Sequence, residues 1–398
     1  MDKTKWKKSS SQNLFIVGSS TKKDFPADYV SQTVRLLAKK NKVIVFYWGT
    51  ALSLKEYIFQ KKPIKLIERD VNANIIHYYP IHYLPFKKFS VVSNINLFVN
   101  VIEIKLLIFL KGWNNYRKFV WNFCHGLYNF PKYLGKYWNS LYDCVEYPFS
   151  WNKKHNAKIY SEVRKIIINS KYFIVDSPTL KMKFAKYKPV LVPQGFDLKT
   201  FKENNKFSTK NMLFDNKKPV IGYIGGINYR LNFKLIADLI KRNPQWNYVF
   251  IGPKQKWPIE DKYIKTNYWI KKISKYKNFI YVPDQPKKVI PTIINQFDVC
   301  LIPYDVKNKF NYYSRAMKTY EYFYLGKPII STPTLESVRL NSLVFIADNS
   351  IEFERLIKKL LKSGISKEHV NKQKLLAINN SWFNKIKEIS NYVKLFEI

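Results

Sequence analysis

Two series of short apolar runs, each alternating with amphipathic stretches, constrain this chain more than any other feature. In the first, NLFIVG (Asn13–Gly18) is followed by a polar loop, the helical pattern VSQTVRLLAKK and then KVIVFYWG (Lys42–Gly49). Short runs separated by a helix-length segment read as parallel strands, because parallel neighbours need a crossover and cannot be joined by a tight hairpin. The alternation continues through KFVWNFC, LYDCVEY, YFIVDS and PVLVPQGFD. It stops over Phe196–Lys218, a polar, Lys- and Asn-rich stretch without a period, which reads as a linker. It resumes with PVIGYIGGI, WNYVFIGP, NFIYVPD, DVCLIPY, PIIS and LVFIAD, with NFKLIADLIKR, KVIPTIINQF and IEFERLIKKLLK as the helices. The expected class is α/β: two Rossmann-like halves, 1–195 and 196–375, and a helical segment 376–398 packing back toward the first.

Length and composition agree with that division. A chain of 398 residues can bury two cores of ordinary size, and 46% hydrophobic with 17% aromatic residues excludes a disordered polymer. The formal net charge of +41, from 69 Lys and Arg against 28 Asp and Glu, implies attraction to a polyanion: anionic lipid, nucleic acid or phosphorylated substrates. The excess is mostly Lys, spread along the chain beside Asn, Ile and Tyr, so a compositional bias is the competing explanation. Cys124, Cys144 and Cys300 sit in apolar runs without metal-ligand spacing and read as reduced core residues of a cytosolic protein; neither a metal nor a cofactor is expected. The apolar run near the N-terminus is too short for a signal peptide. Ile95–Trp113 comes nearest to a membrane span but is interrupted by Asn100, Glu103 and Lys105. It reads as a buried core helix in preference to one lying in a membrane interface.

The densest chemistry lies in RAMKTYEYFYLGKPIISTP, Arg315–Pro333. Ala316–Leu325 can be helical, and Gly326 fits the left-handed position that closes a helix. The helix start would offer backbone N–H groups to an anion. Lys318 and Glu321, three apart, share one face and suit a ligand with phosphate at one end and hydroxyls at the other. An amphipathic helix with a solvated ion pair is the alternative. Gly225 and Gly226 follow a strand, letting the backbone turn sharply and approach a phosphate, although the third glycine of a dinucleotide fingerprint is missing. Arg230 could add a fork of donors. In the first half, Gly18 ends a strand at the sheet's ligand-binding edge. Candidates for a general base in the first half are Glu146 first, Asp143 second and Asp24 third, with His125 a further candidate; for each acid a cap or salt bridge is the alternative, and for the histidine a polar surface position.

As an ordered set these motifs resemble the GT-B glycosyltransferases of glycosyltransferase group 1, family 4-like. Lys318, Glu321, Tyr322, Gly326, Lys327 and Pro328 stand where that family carries its K-x-x-E-Y…G-K-P block. NPQWNYVFIGP is similar to its P-x-W-x-x-x-x-I-G-P strand and NNSWFNKI to its terminal Ser-Trp. LYDCVEY is similar to its Y-D-x-x-D strand and LVPQGFD to its V-P-N-G-V-D hinge. The resemblance covers most of the chain from about Ser140 and implies two Rossmann-like domains facing across a cleft. It implies that Glu321 binds the donor ribose and that Gly225, Gly226 and the helix start at Lys318 bind the diphosphate. Arg230, Tyr304, Tyr313, Arg315, Met317 and Thr319 stand with them on the donor side. Tyr313 occupies the position, eight before Glu321, where many relatives have a second glutamate; Tyr312, Tyr313 or Arg315 are available to substitute, and retention and inversion both stay open. The expected activity is transfer from a nucleotide-sugar, UDP-linked by preference, to a glycan or lipid-linked acceptor in cell-surface polysaccharide synthesis. It would act at the cytosolic, anionic face of the membrane, with no nucleic acid as partner. A basic nucleic-acid-binding protein and a catalytically silent scaffold of the same fold are the alternatives; salt-sensitive single-strand binding would mark the first, and nucleotide binding without turnover the second.

Overall fold

A computed structural model gives the architecture; it describes residues 12–20, 28–59, 66–86, 89–145, 148, 153–203, 218–254 and 260–394. The chain divides into two compact units, 1–193 with 385–398, and 194–384. The first is built on an eight-stranded sheet. Its order is Val190–Leu191, Tyr172–Val175, Trp138–Cys144, Arg117–Asn122, Asn13–Gly18, Lys42–Phe46, Ile75–Tyr78 and Ile67–Arg69. All neighbours are parallel except the last pair, which is antiparallel. Every residue of Asn13–Gly18 is buried, because crossover segments cover both faces of a parallel sheet, and this is why the strand reads as one unbroken apolar run.

Helix Ser90–Leu110 covers one face of this sheet. Leu97, Val101, Ile104 and Ile108 join Leu14, Ile16, Ile44 and Val120 in one core. Two buried asparagines fix its position: Asn96 exchanges hydrogen bonds with the backbone of Leu84, and Asn100 donates to Ile81 O at 2.8 Å. The expectation of a core helix is only half met, since its opposite face is exposed and equally apolar.

The second unit holds a six-stranded parallel sheet in the order Phe279–Val282, Asn247–Ile251, Val220–Ile224, Val299–Ile302, Ile329–Ser331, Phe345–Ile346. In chain order this is 3-2-1-4-5-6, the doubly wound arrangement, and it reverses direction between Val220–Ile224 and Val299–Ile302. Helix Phe233–Arg242 follows the first strand, its N-terminus capped by Asn232 accepting from Leu235 N. Helix Glu260–Ile273 has no counterpart in the sequence reading, because its apolar residues form no clean stripe. The segment after 366 is two helices, Lys367–Asn379 and Trp382–Val393, broken where Phe196 bridges Ser381. Residues from Lys385 belong with the first unit, where Tyr172 Oη donates to Val393 O at 3.3 Å. Part of the presumed linker is helical, Leu198–Glu203, and 204–217 lies outside the described residues.

Candidate functional site

The carboxyl ends of Val220–Ile224 and Val299–Ile302 flank the reversal of strand order, and polar side chains of the second unit converge there. Lys318 Nζ donates to Tyr304 Oη at 2.6 Å and to Tyr223 Oη at 3.4 Å. The same ammonium lies 4.7 and 4.9 Å from the Tyr223 and Tyr304 ring centroids. Arg230 places its guanidinium 4.9 Å from the Tyr304 ring and 4.6 Å from Phe310. Its direction is set by Asn311 Oδ1 at 2.8 Å and Ser314 Oγ at 3.2 Å, and Asn311 is itself buried and donates to the carbonyls of Arg230 and Asp305. Two cations thus bracket one phenol.

Burial pushes the Tyr304 phenol up, but Lys318 and Arg230 outweigh it and bring it down to about 8. At Tyr223 burial wins and the phenol is pushed up to about 12. Burial works against the Lys318 ammonium, yet the two phenols beside it raise its pKa. One phenol is therefore expected to ionise near pH 8 in a spectrophotometric titration of the folded protein. Below that pH folded and unfolded chains both keep the proton; between there and the unfolded value of about 10 only the folded chain has released it, so stability rises with pH through that window. Lys318→Met should remove the early titration, and a phenol still ionising there in the variant would contradict the assignment.

Local sequence explains how the cluster is held. Gly225 has φ +137, and a Cβ there would lie 2.9 Å from Lys318 Cε and Nζ, so the glycine makes room for the lysine. Gly226 is the next residue of the turn, and its carbonyl accepts from Tyr223 Oη at 3.2 Å. Tyr322 is fully buried and its hydroxyl accepts from Ile224 N at 2.9 Å, tying helix Lys318–Tyr324 to the strand end. Gly326 closes that helix at φ +65, and Lys327 Nζ then donates to the carbonyls of Asn295 and Phe297. Glu321 is half-buried, one turn from Lys318 on the same helix.

Several expected donor residues have other partners. Arg315 is 5% exposed in its side chain, pairs with Glu336 at 2.9 Å, and donates to Gln194 O and Asn380 Oδ1. It also contacts the Tyr320 hydroxyl at 3.1 Å. These contacts join segments of the second unit, which gives the guanidinium a positioning task. Thr319 is buried, and Met317 packs against the core. Thr319 N donates to Ala316 O and Tyr320 N to Met317 O, so a tight turn uses two N–H groups that an open helix start would have offered an anion. Tyr313 ends a short helix with its ring 5.2 Å from Tyr312.

In the first unit, a Cβ on Gly18 would meet Asn122 Oδ1 at 2.6 Å and Leu127 Cδ1 at 2.7 Å, so close packing accounts for the glycine. Asp143 cannot serve as an exposed base. It is fully buried, 3.1 Å from Lys385 Nζ and 3.2 Å from Trp121 Nε1, and burial still raises its pKa against both. Glu146 and Asp24 lie outside the described residues. His125 follows strand Arg117–Asn122, with Nε2 3.5 Å from Glu162 Oε2. Burial lowers the imidazole pKa and raises that of Glu162, favouring the neutral forms, and a neutral imidazole can accept a proton. Glu162, in the middle of helix Lys153–Asn169, escaped the sequence reading because no local motif marks it.

Comparison with known proteins bears on this arrangement. Residues 204–375 match the family described as Glycosyl transferases group 1. The putative teichuronic acid biosynthesis glycosyltransferase TuaH of Bacillus subtilis is 21% identical over 216 residues; the match covers 53% of this chain and spans only about half, 52%, of that relative. Sucrose-phosphate synthase from Thermosynechococcus elongatus superposes with a TM-score of 0.71 at 13% identity, over 97% of this chain and 99% of that one. Anabaena HepE in complex with UDP-glucose gives 0.68 at 10% identity, over 96% of this chain and 100% of that one. Residues 204–375 are thus similar to glycosyltransferase group 1, and the superpositions over nearly the whole chain, with the parallel sheets of both units, give the GT-B fold.

Proposed function

We propose that this protein is a glycosyltransferase that moves a sugar from a nucleotide-sugar, UDP-linked by preference, to a glycan or lipid-linked acceptor in cell-surface polysaccharide synthesis. The observation that carries the reading is the Lys318–Tyr304–Arg230 cluster at the strand reversal, with Glu321 one turn behind it. Fixed cations aimed at a departing diphosphate lower the barrier without a metal, and a carboxylate can accept hydrogen bonds from two ribose hydroxyls. Support for UDP comes from HepE, solved in complex with UDP and with UDP-glucose, and support for the pathway class from TuaH, described as a putative teichuronic acid biosynthesis glycosyltransferase. His125, with Glu162 beside it, is the proposed base on the acceptor side. The enzyme would work in the cytoplasm at the inner face of the membrane, held there by part of its lysine excess.

Calorimetry or thermal shift against UDP, GDP, ADP and CMP tests the donor. UDP should give the largest response. Glu321→Ala should cost about 2 kcal/mol in the binding of UDP and of uridine alike, since both carry the ribose and the lost bonds are charge-assisted. Undiminished affinity for uridine in that variant would refute the ribose contact.

A further inference from the structure

We infer that the outward face of helix Ser90–Leu110 lies in the plane of an anionic membrane, buried among the acyl chains just below the headgroups. The inference rests on the membrane-bound location proposed above and names the surface that meets the lipid. At about 100° per residue, Val91, Ile95, Phe98, Ile102, Leu106 and Phe109 fall within an arc of about 80°. All six are between 44% and 68% exposed. They form an apolar ridge about 27 Å long, diametrically opposite the residues that enter the core. Such a ridge on the outside of a helix whose inside carries two buried asparagines inverts the usual pattern, and exposed apolar surface of this extent marks a contact.

Charge decides what makes that contact. Residues 90–137 carry six Lys and Arg and a single acid, Glu103, whose carboxylate is taken by the hydroxyls of Tyr78 and Tyr83. Lys105, at the edge of the ridge, donates to Tyr133 O at 3.0 Å, and the Tyr133 ring meets Phe98 edge-on, bringing exposed Lys132 and Lys136 of the neighbouring segment to the same side. An apolar ridge rimmed by lysines and tyrosines matches the boundary between acyl chains and anionic headgroups, with each ammonium reaching outward along its stem. A second copy of the chain would bring two such rims together and repel. The helix cannot turn to span the bilayer, because Asn96 and Asn100 tie its inner face to Leu84 and Ile81.

The three cysteines are buried, so a cysteine introduced by Ile102→Cys can be labelled selectively with an environment-sensitive fluorophore. With the full chain and phosphatidylcholine vesicles containing phosphatidylglycerol, the probe should shift to the blue and be quenched by lipids brominated in their acyl chains. The same probe placed by Ile351→Cys, an exposed site in the second unit, should do neither. The variant Phe98→Gln, Ile102→Gln, Leu106→Gln, Phe109→Gln should lose about tenfold or more of vesicle partitioning while its thermal shift with UDP stays as in the parent. If the parent binds anionic vesicles but the quadruple variant binds equally, or the probe stays in water, the ridge is not the contact and the inference falls alone. If the parent ignores vesicles altogether, the membrane-bound location falls with it. A concentration-dependent dimer of the parent, abolished by the four substitutions, would assign the ridge to a second copy and overturn the proposal.

Discussion

Lys385→Met is expected to lower the stability of the first unit by about 3 kcal/mol or more, the largest effect of any single substitution proposed for the fold. The side chains of Lys385 and Asp143 are 1% and 0% exposed and 3.1 Å apart, so removing the cation leaves a carboxylate that water cannot reach. Burial already raises the Asp143 pKa with the lysine present. Without it burial acts on the carboxyl with less opposition and pushes its pKa higher still, and the protonated form can keep accepting from Trp121. The deficit should therefore shrink as the pH falls, because protonation removes the unpaired charge that the fold disfavours. The double variant Asp143→Leu, Lys385→Met should recover most of the loss, since an apolar pair of similar volume often replaces a buried ion pair at little cost. Urea unfolding of the two variants beside the parent decides it; a Lys385→Met variant as stable as the parent would mean that the pair contributes nothing.

Lys318→Met is expected to weaken UDP binding by about 3 kcal/mol, roughly a hundredfold, while leaving uridine binding nearly unchanged. The lysine's ammonium is held by the phenols of Tyr304 and Tyr223, so a diphosphate can exchange phenol contacts for charge-assisted ones. Methionine keeps the volume against Gly225 and removes only the charge. The contrast with Glu321→Ala separates the two ends of the nucleotide: one change should discriminate UDP from uridine and the other should not. If turnover can be assayed, the rate should fall further than the affinity, since charge on the leaving diphosphate grows toward the transition state. Equal losses for uridine and UDP would place Lys318 away from the diphosphate.

Sequence makes legible those features whose deciding forces act over a few residues. Alternating apolar runs gave the strands, and the K-x-x-E spacing put Lys318 and Glu321 on one face. The buried partners of Asp143 and Arg315 escaped it for a single reason. An acid near a strand end, or an arginine before a helix, looks the same from its neighbours whether it faces solvent or a buried partner. Asp143 meets a lysine 242 positions later, and Arg315 meets Asn380 65 positions later. Likewise the Ser90–Leu110 helix shows apolar residues all round, and nothing local says which of its two apolar faces the sheet will cover.

By itself, then, the order of residues determined the two α/β units, the turn at Gly225 and the helix that carries Lys318 and Glu321, because backbone period, glycine freedom and side-chain spacing are local properties. Only the tertiary structure decided which charges pair in the interior, which phenol lies between two cations, and which face of an apolar helix is left exposed. Those depend on closing long stretches of chain, and desolvation makes the environment set by distant segments, more than the residue's own identity, govern what a side chain can do.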